Sequence, residues 1–272
     1  MAREQMKVLV LVKAAPVLTR ELEETMCVAG VRVDADDPSW IRLHPVPFRD
    51  LEEDRKFAKY QVVDVEVERP KSDRRPESWS PLRASISPGQ TLTPTRAWAE
   101  RRQVIEQLGE SFMCELVEMN RSGSAPGTPS LAVVRPQQPP RLIITERDES
   151  QLRQWTARAQ GAANRLSLFD DPGTRKPEFE VVPWRFQYDY QCAASGCRGH
   201  RQTIVDWEVL ALWRKVRRQP DWREQMRAKF EDTLWTDRDS VLFVGNQEQH
   251  PASFLVLGVF WPPSRPYQPS LL

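Results

Sequence analysis

The sequence lacks an excess of charge of either sign. It has 39 Lys and Arg against 38 Asp and Glu, which gives a formal net charge of +1 over 272 residues. Proteins dedicated to duplex nucleic acid usually carry a basic field over the whole domain, and this balance excludes one. Basic patches confined to one part of the surface remain compatible with the sequence.

Long apolar runs are also absent. The first run, Val8–Val12, ends at Lys13 and is too short for the core of a signal peptide. No later run reaches the roughly 20 residues of a membrane-spanning helix. The chain has only four cysteines, which suit reduced thiols and a metal better than a disulfide framework. These features predict a cytoplasmic protein without a membrane partner.

Three common loop motifs are missing as well. The chain has no G-x-G-x-x-G after a strand and no G-x-x-x-x-G-K-[ST], so nucleotide binding by those loops is not expected. It also has no G-x-S-x-G nucleophile elbow.

Periodicity predicts a mixture of strands and helices. Short apolar or alternating runs predict strands at residues 7–13, 40–44, 60–69, 130–135, 141–145, 179–190, 240–245 and 253–260. Helical patterns occupy residues 19–27, 96–108, 149–161, 204–217 and 221–235, and the Pro-rich stretch 70–94 predicts an extended arm. Because strands and helices do not alternate strictly, the pattern favours an α+β fold with two β-rich halves, each a small barrel-like sheet.

The clearest boundary between the halves is a Ser-, Gly- and Pro-rich stretch at residues 121–129. It predicts an N-terminal α+β domain over residues 1–120 and a C-terminal α+β domain over residues 130–272, with a flexible joint between them. The two domains are expected to meet near the cluster described next.

The most informative motif gathers two cysteines and a histidine within nine residues. Cys192, Cys197 and His200 form a C-x4-C-x2-H pattern, and Gly196 and Gly199 allow the backbone to bend sharply between them. Thiolates and imidazole are ligands that Zn²⁺ prefers, so the pattern predicts a zinc site. The alternative is two buried free thiols beside a surface histidine.

A tetrahedral site needs a fourth ligand from elsewhere in the chain. Cys27 is the first candidate, because its use would connect the two halves. Asp206, His250 and His44 are weaker candidates, and Cys114 is predicted to lie on an ordinary strand. If water completed the shell, the site would be catalytic rather than structural.

Acidic residues follow the cluster at the start of a predicted helix. Asp206 and Glu208 are two positions apart and do not share a helix face, so a paired acid and base is not indicated. A hydrogen bond from one of them to His200 would orient a metal ligand. For an open metal site, Asp206, Glu208 and His250 are the candidate acid–base residues.

Two groups of basic residues are candidates for contact with nucleic acid. Arg74 and Arg75 lie beside Trp79 in the predicted arm, where cations can bind phosphates and an indole can stack on a base. The second group ends the helix predicted at 204–217 and consists of Arg214, Lys215, Arg217 and Arg218. Local ion pairs in the arm, and the helix dipole at the helix end, explain the same residues without a ligand.

Several segments together resemble an uncharacterised family of prokaryotic proteins. The resemblance runs the length of the chain and rests on Trp40–Phe48, Arg75–Ser78, the cluster Cys192-x4-Cys197-x-Gly-His200, the sequence Asp206-Trp-Glu208, Phe243–Gly245 and Gly258–Pro263. We associate this family with mobile-element and phage-defence neighbourhoods. The resemblance implies no catalytic residue, and it favours work on nucleic acid in prokaryotic defence.

These observations predict a zinc-stabilised protein that binds nucleic acid or acts as an adaptor. One alternative is a metal-dependent, nuclease-like hydrolase with an open metal site. Another is an interaction subunit whose tryptophans, ten in the chain, form an interface with a protein partner.

Overall fold

The first half of the chain forms a closed barrel of five strands with short additional strands at its sides. The computed structural model describes residues 3–19, 23–121, 127–163 and 179–264. The strands of this half are β1 (Arg3–Lys13), β2 (Val17–Leu18), β3 (Glu24–Arg32), β4 (Ser39–Val46), β5 (Gln61–Glu68), β6 (Ser78–Pro81) and β7 (Ser87–Thr91). Around the barrel the order is β1, β3, β4, β6, β5 and again β1, with β4 and β6 parallel. This order is that of the OB-fold, a five-stranded Greek-key barrel.

The sequence of β1 explains its central place. Val8 and Val10 face the interior of the barrel, whereas Leu9 and Leu11 face the second half of the chain. A strand that is covered on both faces has a continuous apolar run instead of alternation. All four side chains are fully buried.

The second half contains two three-stranded antiparallel sheets. Its strands are β8 (Leu131–Val134), β9 (Arg141–Glu146), β10 (Trp184–Tyr190), β11 (His200–Thr203), β12 (Val241–Gln247) and β13 (His250–Phe260). One sheet has the order β11, β10, β9 and the other β13, β12, β8. A parallel bridge between Ile204 and Val256 joins the end of β11 to β13, and Pro136 bridges to Cys192. If β8 and β9 are counted as one interrupted strand, these strands form a second barrel in the order β8/β9, β10, β11, β13, β12 and again β8. This is the strand order of the first barrel.

Helices connect and flank the two strand systems. Within the described residues these are α1 (Thr95–Glu106), α2 (Met113–Arg121), α3 (Glu149–Ala163), α4 (Trp207–Val216) and α5 (Trp222–Arg227), the last continued by a π-helical segment over Ala228–Thr233. None of the helices in the described part of the chain is long and apolar enough to cross a membrane. The predicted α+β class with barrel-like sheets is confirmed.

The two halves share a hydrophobic core. Leu9 and Leu11 of the first barrel pack in one cluster with Leu131, Phe243 and Phe260 of the second half. A partly buried ion-pair group lies at the same junction, where the Lys59 ammonium is 3.3 Å from carboxylate oxygens of both Asp206 and Glu208. The junction therefore combines an apolar core with charged groups that cross between the halves.

Two elements of the first barrel differ from the sequence-based predictions. Residues 24–27, predicted as the end of a helix, belong to β3, because Met26 and Val28 are buried in the barrel and tertiary packing overrides local helix propensity. The supposed arm at 70–94 contains β6 and β7, and β6 closes the barrel between β4 and β5. Of the joint predicted at 121–129, residues 122–126 lie outside the described residues, so the division into domains stays a prediction.

Candidate metal centre

Four potential metal ligands converge where α2 meets the loop between β10 and β11. Cys192 follows the end of β10, Cys197 lies in the loop, and His200 is the first residue of β11. Cys114 comes from the first turn of α2. The three sulfur atoms and a ring nitrogen of His200 all lie within 4.8 Å of one another.

The distances between the ligand atoms are close to those around a tetrahedrally coordinated zinc ion. The Cys192 and Cys114 sulfurs are 3.7 Å apart, and His200 Nε2 lies 3.4 Å from the Cys114 sulfur and 3.3 Å from that of Cys197. With Zn–S bonds of about 2.3 Å and Zn–N bonds of about 2.0 Å, the edges of a tetrahedron measure ~3.8 Å between sulfurs and ~3.5 Å between sulfur and nitrogen. These side chains could therefore bind one metal ion with little movement.

The loop reaches this geometry through two glycines in left-handed conformations. Gly196 has φ of 74° and Gly199 has φ of 101°, values that side chains with a Cβ rarely adopt. Between them, the Cys197 N–H donates to the Ala194 carbonyl at 3.2 Å. The two turns place Cys197 and His200 on the side that faces α2.

Burial and crowding set the protonation of the ligands. Burial and the two neighbouring thiols raise the pKa of Cys114 to about 12. Burial also opposes ionisation of Cys192, but hydrogen bonds from the backbone of Ala194 and Cys114 outweigh it and lower the pKa of Cys192. Burial lowers the pKa of His200, which favours the neutral imidazole that metals bind. A bound cation would stabilise the thiolates that are otherwise costly to form together.

The fourth ligand differs from the first candidate of the sequence. Cys27 lies on β3, where burial raises the pKa of its thiol, and the Arg42 guanidinium is its neighbour. It is not a member of the cluster in the structure, and neither are His44, His250 and Asp206. Cys114 lies on a helix, not on a strand, because Met113 and Leu116 pack into the core of the second half. Helical spacing of these apolar residues is the signal that would have brought Cys114 to the buried face.

The candidate acid–base residues have other partners. The Asp206 carboxylate accepts from the Glu208 N–H at 3.0 Å as the cap of α4, and it pairs with Lys59. Glu208 also pairs with Lys59, so the suggested hydrogen bond from either acid to His200 is not formed. His250 is exposed at the start of β13, on the hairpin beside the metal centre.

The predicted basic residues of the arm divide into bound and exposed groups. Arg75 donates to both oxygens of Asp73 and, at 2.7 Å, to the Asn246 carbonyl of the second half. The Arg69 guanidinium covers the Trp79 ring at 3.7 Å, which leaves this indole little room to stack on a base. Arg74 is exposed.

The basic end of α4 divides in the same way. Arg214 and Arg217 both pair with Glu180, whereas Lys215 and Arg218 are exposed. Arg214 also lies over the Trp207 ring at 5.1 Å. Of this group, Lys215 and Arg218 form no ion pair with a described residue.

Three other arginines lie on the segments that supply the metal ligands, and the sequence analysis did not single them out. Arg121 ends α2 and pairs with Glu118 at 2.9 Å, and Arg201 on β11 pairs with Asp189 at 3.0 Å. Arg198 is exposed within the loop and forms no ion pair with a described residue. Arg198 and Arg201 flank His200 in the sequence, whereas Arg121 is far from them in the chain and lines the same recess as Arg201 only because of the fold.

A recess of about 740 Å³ opens beside the centre. Its walls are α2, the start of β11 and the hairpin between β12 and β13, and no Asp or Glu is among the described residues that line it. It forms because β11 and β13 meet only near Ile204 and Val256, where the Val205 N–H donates to the Val256 carbonyl at 2.9 Å. On the His200 side of this bridge the two strands separate.

Comparisons with known proteins place the chain among domains without an assigned activity. A family model described as a domain of unknown function (DUF8757) matches residues 109–271, and a second domain of unknown function (DUF8758) matches residues 4–107. No curated protein matches the chain. A solved structure described as a murine DNA binding protein bound with ds DNA is similar at 9% identity and a TM-score of 0.32, over 99% of this chain and 100% of that one. A likeness at that score supports no argument about function.

Proposed function

The chain belongs to the DUF8757 family, and for it we propose a zinc-stabilised nucleic-acid-binding protein that contacts phosphates around the metal centre. The observation that carries the proposal is the position of Arg121, Arg198 and Arg201 on the elements that supply the metal ligands. Arginine forms charge-assisted hydrogen bonds with phosphate oxygens, and a cluster of it is the usual footprint of nucleic-acid contact. Zn²⁺ is the metal proposed, because three thiols and one imidazole form a typical structural zinc site.

In this proposal the ion has a structural role. Four protein side chains complete a tetrahedral shell, which leaves no position for a substrate or for activated water. The ion would hold the first turn of α2 against the loop before β11, and it would thereby fix the three arginines relative to one another.

Metal content tests the first part. We expect about one zinc per chain in protein purified without added metal, and loss of most of it in Cys114→Ser, because a three-ligand site binds far more weakly. Cys27→Ser is the matched control and should keep its zinc. Elemental mass spectrometry gives both numbers. Zinc retained in Cys114→Ser, or lost in Cys27→Ser, would contradict the assignment.

Salt-dependent binding tests the second part. Fluorescence anisotropy with labelled oligonucleotides should show affinity that falls steeply with salt, because phosphate contacts release counterions. The combined variant Arg121→Ala, Arg198→Ala, Arg201→Ala should lower the logarithmic salt slope by about 2, at roughly 0.7 for each lost contact to a single strand. Arg153→Ala on α3, also an exposed arginine in an ion pair with glutamate, is the control. Equal slopes for the two variants would refute the proposal.

The exposed cations Arg74 of the arm and Lys215 and Arg218 of the α4 end remain two further predicted contact groups, which the same assay can compare. A role in prokaryotic defence also remains a prediction, based on the resemblance alone. Its test is phage plating on cells with and without the gene, together with the Cys114→Ser variant. No protection by the wild-type gene would oppose it.

A further inference from the structure

The recess beside the metal centre has the dimensions of a small-ligand site. Ligand pockets in proteins commonly measure about 300–1,000 Å³, and the volume of this recess, about 740 Å³, lies within that range. The bases of a duplex are paired and stacked, so their faces and pairing edges are not free to enter such a recess. An unpaired nucleotide or two, with the base turned out of a stack, is of suitable size.

The walls of the recess carry both cationic and apolar groups, a combination that suits a nucleotide. Arg121 and Arg201 lie on two walls, and the exposed imidazole of His250 lies on the third. Val117 and Pro251 add half-buried apolar surface between them. Cations contact phosphates, whereas apolar and aromatic surface accepts the faces of bases.

Polar side chains free to bond a ligand also line the recess. Gln249, His250 and Ser253 are exposed and make no side-chain hydrogen bond to another described residue. By contrast, the amides of Asn120 and Gln202 are occupied: Asn120 bonds to Asn246, and Gln202 accepts from the Tyr190 hydroxyl at 2.6 Å. The hairpin between β12 and β13 is therefore the wall that could bond base edges.

We propose that this recess binds an unpaired segment of nucleic acid, so that single strands are preferred over duplexes. The inference rests on the proposed function and adds to it the class of nucleic acid and the place where it enters. The arginines around the metal centre contact the backbone, and the hairpin contacts the base of a nucleotide that has left its stack.

The experiment compares a labelled single strand of about twelve nucleotides, a length that an OB-type domain can cover, with the duplex of the same sequence. We expect the single strand to bind at least about tenfold more tightly than the duplex, because only its bases are free to enter the recess. Ser253→Glu places a carboxylate in the recess and should weaken single-strand binding by about tenfold. Thr91→Glu on the exposed strand β7 is the matched control and should leave binding unchanged.

The outcomes separate this inference from the proposed function. Equal affinity for single strand and duplex, or full binding by Ser253→Glu, would overturn the inference, even if the triple arginine variant still lost binding. Absence of binding to either oligonucleotide by the wild-type protein would overturn both. Circular dichroism and zinc content, measured on each variant, show whether a loss arises from misfolding.

Discussion

At the scale of single residues, the most consequential side chain outside the metal centre is Arg42. It is 2% exposed, and its guanidinium donates to the Ser130 hydroxyl at 2.7 Å and to the Ser130 carbonyl at 3.1 Å. Ser130 in turn donates from its N–H and its hydroxyl to the Glu77 carboxylate. A buried cation is tolerated when its hydrogen bonds are satisfied and a carboxylate is close.

Removal of the half-buried Glu77 carboxylate should therefore destabilise the fold more than the loss of an ordinary surface acid does. Glu77→Gln leaves Arg42 without its nearby carboxylate, and we expect a loss of about 3 kcal/mol in the free energy of unfolding. Urea denaturation followed by tryptophan fluorescence measures it. Arg74→Ala, an exposed neighbour in the same loop, should change stability by less than about 0.5 kcal/mol. Similar losses in the two variants would contradict the role given to Glu77.

Asp73 should make the stability depend on acid pH. Burial opposes its ionisation, but hydrogen bonds from Arg75 and Ser78 lower the pKa of Asp73 to about 2. Because the folded pKa lies below the unfolded value of about 3.9, this stabilisation is complete above pH ~4 and is lost as the pH falls towards 2. Its upper limit is about 3 kcal/mol at neutral pH.

The measurement is the unfolding free energy of the wild-type protein and Asp73→Asn between pH 2 and 6. The difference between the two proteins should be largest near neutral pH and should shrink below pH ~4. A difference that does not vary with pH would show that Asp73 acts only through its neutral hydrogen bonds.

At the scale of elements, the strands were more predictable than the site. The apolar run of β1 and the alternation of β5 both predict strands, and both are confirmed. The segment before Cys27 was predicted wrongly, because its acids and Thr19 favour a helix locally while the barrel needs a strand there. Cys192, Cys197 and His200 are close in sequence, so local spacing revealed them. Cys114 is brought to them by the packing of α2; the spacing of Met113 and Leu116 indicates the buried face of that helix but not which ligands it meets.

A bound metal should also stabilise the helix that supplies Cys114 against local opening. α2 and β11 are each one wall of the recess, and Cys114 and His200 would connect them through the ion. We expect chelation to speed amide hydrogen exchange in the first turn of α2 and in the 192–200 loop by about tenfold, because local opening then costs less. α1, which supplies no ligand, should exchange as before. Unchanged exchange in α2 would mean that its packing alone holds it in place.

At the scale of the whole molecule, the two barrels should unfold together. They share the cluster of Leu9, Leu11, Phe243 and Phe260, and the Lys59 ammonium bonds to acids across the junction. Burial opposes the charge of Lys59, but the attraction of the Asp206 and Glu208 carboxylates is stronger and raises the pKa of Lys59. Two units joined by an apolar core behave as one cooperative system.

Lys59→Met should lower the stability of both barrels by about 3 kcal/mol, since it leaves the buried Asp206 without its cation. Calorimetry should show a single transition at lower temperature, not one shifted and one unshifted peak. Lys56→Met is a suitable control, because Lys56 pairs only with exposed Glu53 among the described residues and an exposed pair contributes little. Two separate peaks would show that the barrels are independent.

The position of Cys114 has a consequence for the unfolded chain. Cys114 and Cys192 are 78 residues apart in the sequence, yet they would bind the same ion. A cross-link that closes a loop of this length removes conformational entropy worth about 4.5 kcal/mol from the unfolded chain, in the polymer estimate used for disulfides. The ion would thus give the second barrel the long-range constraint that a disulfide gives to secreted proteins. The folding of this half would then depend on the supply of zinc in the cell.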